Sequence, residues 1–136
     1  MRIFLDANVL FSAAKSDGAV RKLLTLLHQG GHECCVNSYV VEETRRNLFA
    51  KAPEAITVLD RLLSRMTTAK AQSSDAALET SLPLPAKDRP VLAAAIRQGC
   101  AVLVTRDRTH FGALYGSTVH GVAVHSPRSL AETLLV

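Results

Sequence analysis

Short apolar runs alternate along this chain with longer stretches in which apolar residues recur every three or four positions. "RIFL" near the start, "ECCVN", "AVLVT" and "VAVHSP" read as strands. The third is continuously apolar, as strands buried on both faces of a parallel sheet tend to be. The intervening stretches have helical spacing. "ANVLFSAAK" predicts a first helix that stops near Ser16-Asp17-Gly18. Val20, Leu23, Leu24 and Leu27 line one side of a second helix, which Gly30-Gly31 ends. Ser38 stands where a cap would begin a third helix running through Leu48 and Ala50. Pro53 opens a fourth, carrying Ile56, Val58, Leu59, Leu62 and Leu63. The pattern is weakest from Thr67 to Lys87, where "SSDAALETSLPLP" predicts a short helix before a proline-rich loop. It sharpens again in "DRPVLAAAIRQG", with Asp88 at the cap position, Pro90 in the first turn and Gly99 just past the end. Ser126-Pro127 opens a last helix with Leu130, Leu134 and Leu135 facing inward. Strands alternating with helices predict an α/β sandwich around a mostly parallel sheet.

Composition narrows the class. The chain has 136 residues, with no repeat, low-complexity tract or dividing linker, so one domain over residues 1–136 is expected. That length buries a core without staples. No apolar run is long enough to span a bilayer, and Asp6 interrupts the first apolar stretch, unlike a secretory signal. A cytoplasmic location is the expectation. Cys34, Cys35 and Cys100 are odd in number and form no CxxC pattern, so Cys34 and Cys35 are expected to pack as small apolar residues. His28 and His32 are four apart, but Gly30-Gly31 breaks the helix between them, which argues against a zinc pair.

Charge adds a hint. Sixteen basic residues stand against twelve acidic, a net +4. If four acids are set aside for one site, sixteen basic residues stand against eight acidic ones in the remainder. A basic body around a small acidic cleft suits a polyanion approached through cations. A soluble protein with a modest positive balance fits the same totals.

The candidate chemistry lies in the acids. Parallel sheets bind ligands beyond the carboxyl ends of their strands. Asp6 follows "IFL" and Asp107 follows "VLVT". Each acid has a plainer alternative: Asp6 as a cap beside Asn8, Asp88 as an N-cap, Asp107 as a loop residue between Arg106 and Arg108. On the third helix, Val40, Val41, Thr44 and Leu48 define one side. Glu43 then lies roughly 115° from its centre and Glu42 roughly 145°. Glu43 is the nearer to the buried rim, with two solvated glutamates as the alternative. Convergence of all four acids demands a counter-charge, and carboxylate oxygens select hard cations, Mg²⁺ or Mn²⁺.

Four blocks in order, "FLDANVL", "SYVVEETRRNL", "KDRPVLAAAIRQGCAVLVTRDRTHFG" and "GVAVHSP", resemble the PIN-domain ribonucleases over nearly the whole chain. The resemblance implies a PIN-like three-layer α/β/α sandwich with a central, mostly parallel sheet. It implies an acidic cleft that holds Mg²⁺ or Mn²⁺ and cleaves RNA. The implied catalytic and metal-binding residues are Asp6, Glu43, Asp88 and Asp107, with Asp6 and Asp88 as leading ligands. Asn8 and Thr105 match supporting polar positions, although Thr105 reads equally well as a β-branched strand residue. Small bacterial relatives act as toxins paired with an antitoxin, so an antitoxin partner and a homodimer belong to the same expectation. Thr67 to Lys87 matches no block, and no substrate contact carries over there.

Around these acids, Lys87, Arg89, Arg106 and Arg108 are placed either to touch phosphates or to be solvated. His110-Phe111 reads as a base-stacking pair or, preferably, as a polar neighbour beside core filler. Rival α/β enzymes lack support. A dehalogenase-type phosphohydrolase needs a second Asp where Asn8 stands, and a nucleotide binder needs a glycine-rich loop that "DANVLFSAAK" lacks. A receiver domain needs adjacent acids after the first strand. The remaining alternative is a PIN-like module that binds RNA or protein without cutting. The retained acids argue against it.

Overall fold

The structure, a computed structural model, describes residues 1–71 and 75–134. Among the described residues, six strands form one sheet: β1 (Arg2–Leu5), β2 (Glu33–Asn37), β3 (Thr67–Ala69), β4 (Val102–Val104), β5 (Thr118–Val119) and β6 (Val122–His125). Their spatial order is β3-β2-β1-β4-β6-β5, and all neighbours pair in parallel except β5 with β6. The chain therefore starts in the middle, builds outward through β2 and β3, then returns to build the other side from β4. This reversal leaves a crevice beyond the carboxyl ends of β1 and β4, the switch point at which open parallel sheets bind ligands.

The apolar runs explain the centre of this order. Ile3, Phe4 and Leu5 of β1 and Val102, Leu103 and Val104 of β4 are all buried, so helices must cover both faces. The helices are α1 (Ala7–Lys15), α2 (Ala19–Gln29), α3 (Ser38–Lys51), α4 (Ile56–Leu63), α5 (Ala76–Ser81), α6 (Arg89–Arg97), α7 (Arg108–Phe111) and α8 (Pro127–Leu134). Helix α1 packs on α2, α3 and α4 through Val9, Leu10, Ala13 and Ala14, while α5 packs on α6, which lies against β4. Each fully buried leucine, such as Leu10 or Leu48, contributes about 1.5–3 kcal/mol of hydrophobic stabilisation. None of the described helices is long and apolar enough to cross a membrane.

The predicted helices and strands are present, with instructive differences. Asn37, not Ser38, caps α3: its side-chain oxygen accepts the Val40 N–H at 2.9 Å. The Ser38 hydroxyl instead accepts the Ala71 N–H, tying α3 to the segment after β3. Pro53 opens a single 3₁₀ turn before α4 rather than α4 itself. Gly99 follows α6 with φ +66°, a left-handed conformation that glycine adopts without strain. The weakly patterned stretch holds β3 as well as the short helix α5, and two further short elements, α7 and β5, had no pattern to announce them. Leu130 is buried and Leu134 half-buried, whereas Leu135 and Ser73-Ser74 lie outside the described residues. The three cysteines are buried and unpaired, and burial pushes the Cys34 thiol up to about 11.

Candidate metal centre

The site begins where β1 stops. Asp6 keeps its N–H in the sheet by donating to the Val104 carbonyl, then turns the chain into α1. One carboxylate oxygen accepts the Ala7 N–H at 2.8 Å, so the acid does cap α1. The other accepts the Thr105 hydroxyl at 2.8 Å and the Asn8 side-chain amide at 3.3 Å.

Thr105, just past β4, is fully buried and joins the parts. Its hydroxyl donates to Asp6 and accepts from Asn8 Nδ2 at 3.2 Å and from the Asp107 N–H at 3.2 Å. Asn8 completes the link by accepting the Arg106 N–H at 2.9 Å. The ends of the two central strands are thus laced together by side chains, with every hydroxyl capacity of Thr105 used.

Asp107 caps α7. One oxygen accepts the His110 N–H at 3.1 Å, and the other lies 2.7 Å from His110 Nδ1. Burial acts to raise the Asp107 carboxyl, but the hydrogen bonds from the His110 side chain and backbone outweigh it and hold the group below the usual carboxylate range. Asp88 occupies the cap position of α6 without making a side-chain cap bond. Pro90, the second residue of that helix, has no N–H to offer it. The carboxylate points instead toward His110, with Oδ2 at 3.4 Å from Nδ1; that oxygen is buried and accepts no hydrogen bond.

Asp6, Asn8, Glu43, Asp88 and Asp107 line one cleft of about 490 Å³, whereas Thr105 and His110 support it from outside the lining. Glu43 is half-buried there while Glu42 is exposed, as their angular positions on α3 predict. Burial is the largest cause raising the Asp6 carboxyl, and the charges of Glu43 and Asp107 add to it against the bonds from Thr105 and Ala7. Lys51, Lys87 and Arg97 bring positive charge to the same wall. Lys51 and Lys15 both approach the Phe11 ring, at 5.7 and 5.6 Å from its centroid.

Other candidates fall elsewhere. Arg89 donates to the Leu84 carbonyl at 2.7 Å, and Arg106 and Arg108 are exposed outside the cleft wall. Phe111 is buried core. His110 is the residue that sequence reasoning undervalued. Its signal was the three-residue spacing from a helix-capping Asp, which sets a side chain back over the cap.

An open, mostly parallel sheet with an acidic cleft at its switch point defines an α/β protein of the kind that binds ligands beyond its strand ends. The PIN-domain family profile matches residues 2–109, and the chain belongs to that family. Solved structures share the fold. VapBC2 from Rickettsia felis, bound to a DNA fragment from its promoter, is 19% identical with a TM-score of 0.67, covering 93% of this chain and 98% of that one. A protein from Pyrobaculum aerophilum is 19% identical with a TM-score of 0.68, covering 99% and 90%. Mycobacterium tuberculosis VapC20, a sarcin-ricin loop cleaving toxin, is 16% identical with a TM-score of 0.57, covering 87% and 97%. No curated protein sequence matches significantly.

Proposed function

We propose that this protein is an endoribonuclease dependent on Mg²⁺ or Mn²⁺, and the toxin of a toxin–antitoxin pair. The observation that carries the reading is the presence of Asp6, Glu43, Asp88 and Asp107 in the wall of one cleft. The donors suit a hard divalent cation: they are carboxylate oxygens, they repel one another, and one of them, on Asp88, is buried without a hydrogen-bond partner. Asp6, Asp88 and Asp107 would hold the ion, with Glu43 completing the set directly or through water. A bound cation supplies an acidified water and offsets charge growing on a scissile phosphate.

The chain's own residues do the remaining work. Thr105 and Asn8 keep the Asp6 carboxylate in one orientation without spending entropy at the moment of binding. Lys51 and Lys87, on the wall of the same cleft, offer ammonium groups to flanking phosphates. The likeness to VapBC2 and to a toxin that cleaves the sarcin-ricin loop supports an antitoxin partner and an RNA substrate. An antitoxin, or a second copy in a homodimer, belongs to the same reading. A cytoplasmic location follows from the same reading.

The test is cleavage of RNA by purified, antitoxin-free protein with Mg²⁺ or Mn²⁺. Wild type cuts; Asp6→Asn and Asp88→Asn lose at least about a hundredfold in rate, as loss of charge stabilisation predicts. Undiminished cleavage by both variants contradicts the site. A wild type that binds metal and RNA yet never cuts is a non-catalytic PIN-like module.

A further inference from the structure

The metal-centre reading treats the ligands as oxygens alone, yet among the described residues the three donors that approach one another closely enough to hold one ion include a nitrogen and leave out Asp6 and Glu43. One atom each from Asp88, Asp107 and His110 lie within 4.8 Å of one another. His110 Nδ1 is 2.7 Å from Asp107 Oδ2 and 3.4 Å from Asp88 Oδ2. Metal–ligand bonds of about 2.1 Å set neighbouring octahedral donors about 3.0 Å apart. The two measured separations straddle that edge length. The Asp88 oxygen in this triangle is the buried one that accepts no hydrogen bond, so it faces the cluster without another use.

The ring is also turned the right way. Nδ1, not Nε2, meets the carboxylates, because α7 starts at the Asp107 cap and brings residue 110 back over it. We propose that His110 supplies a nitrogen ligand to the divalent cation and biases the site toward Mn²⁺ over Mg²⁺. This rests on the metal-centre reading and adds the identity of a ligand. With a cation bound, the Nδ1 lone pair points to the metal and the ring carries its proton on Nε2. Imidazole favours transition metals, whereas Mg²⁺ prefers oxygen donors and retained water. A mixed set therefore separates two ions that a purely carboxylate set treats more alike.

Two readouts test it on the intact chain. Calorimetric titration of wild type and His110→Gln with each metal alone gives the affinities. Loss of about tenfold or more in Mn²⁺ affinity, with Mg²⁺ affinity nearly unchanged, supports the assignment. Equal losses for both metals, or no loss for either, overturn it. Pulsed electron paramagnetic resonance of bound Mn²⁺ then asks about direct ligation. Nitrogen modulation in wild type that vanishes in His110→Gln supports a bond to the ring. A nitrogen-free signal in wild type overturns the ligand assignment while leaving the carboxylate site intact. Absence of any metal binding by wild type overturns both.

Discussion

The hydroxyl of Thr105 is one atom with three hydrogen-bond partners, each on a different functional side chain or its backbone. Thr105→Val keeps the shape and removes that hub, leaving the Asp107 N–H and the Asn8 amide short of a partner. The expected cost is about 1–3 kcal/mol in chemical denaturation, together with weaker metal binding. A stability within a few tenths of wild type would show that the hub does not matter. Sequence reading saw a strand-end threonine and had no way to tell a hydroxyl aimed at a carboxylate from a methyl packed in a sheet. Asp6 was more legible, because a carboxylate directly after a buried run needs an explanation wherever it points.

His125 gives a separate residue-scale prediction. Burial lowers its pKa below the usual 6.5. Above 6.5 both folded and unfolded chains are neutral there and the residue costs nothing. As pH falls through 6.5 the unfolded chain takes up the proton first, so stability drops relative to a His125→Gln variant. Parallel melting-temperature profiles for the two proteins between pH 8 and 5 would contradict this.

At the scale of elements, legibility followed length and periodicity. The helices α1, α2 and α3 span two to four turns with regular apolar spacing, and the strands β1, β2 and β4 are concentrated apolar runs. By contrast β3 is Thr-Thr-Ala at the sheet edge, β5 has two residues and α7 has four. The positions of β3 and β5 come from tertiary pairing, which no local pattern encodes, and the one local sign of α7 is the Asp107 cap. Asp88 illustrates the same limit: the motif reads as a cap, but Pro90 offers no N–H for the carboxylate to accept, and the carboxylate turns to the cleft. The glycine stops at helix C-termini were more faithful. Gly99 has φ +66° with nothing within 4 Å of an added Cβ, so Gly99→Ala costs only backbone strain, about 1–2 kcal/mol. Thermal unfolding checks it, and an unchanged melting temperature would refute the left-handed stop after α6.

Over the whole molecule, sixteen basic residues stand against twelve acids, and one cleft gathers five of those acids with Lys51, Lys87 and Arg97 in its wall. Single-stranded RNA should be held by phosphate contacts, so its affinity falls with salt. Measured in the cleavage-poor Asp88→Asn background, adding Lys87→Ala should reduce the log–log salt slope by about 0.7, the loss of one contact. An unchanged slope would remove Lys87 from the RNA path. Beneath every functional statement is the claim that distant carboxylates meet to hold one or two divalent ions. Anomalous diffraction from crystals soaked in Mn²⁺ tests it most directly. The account predicts a manganese peak within bonding distance of Asp6, Asp88 and Asp107; a cleft without one, in crystals that bind manganese elsewhere or not at all, contradicts it.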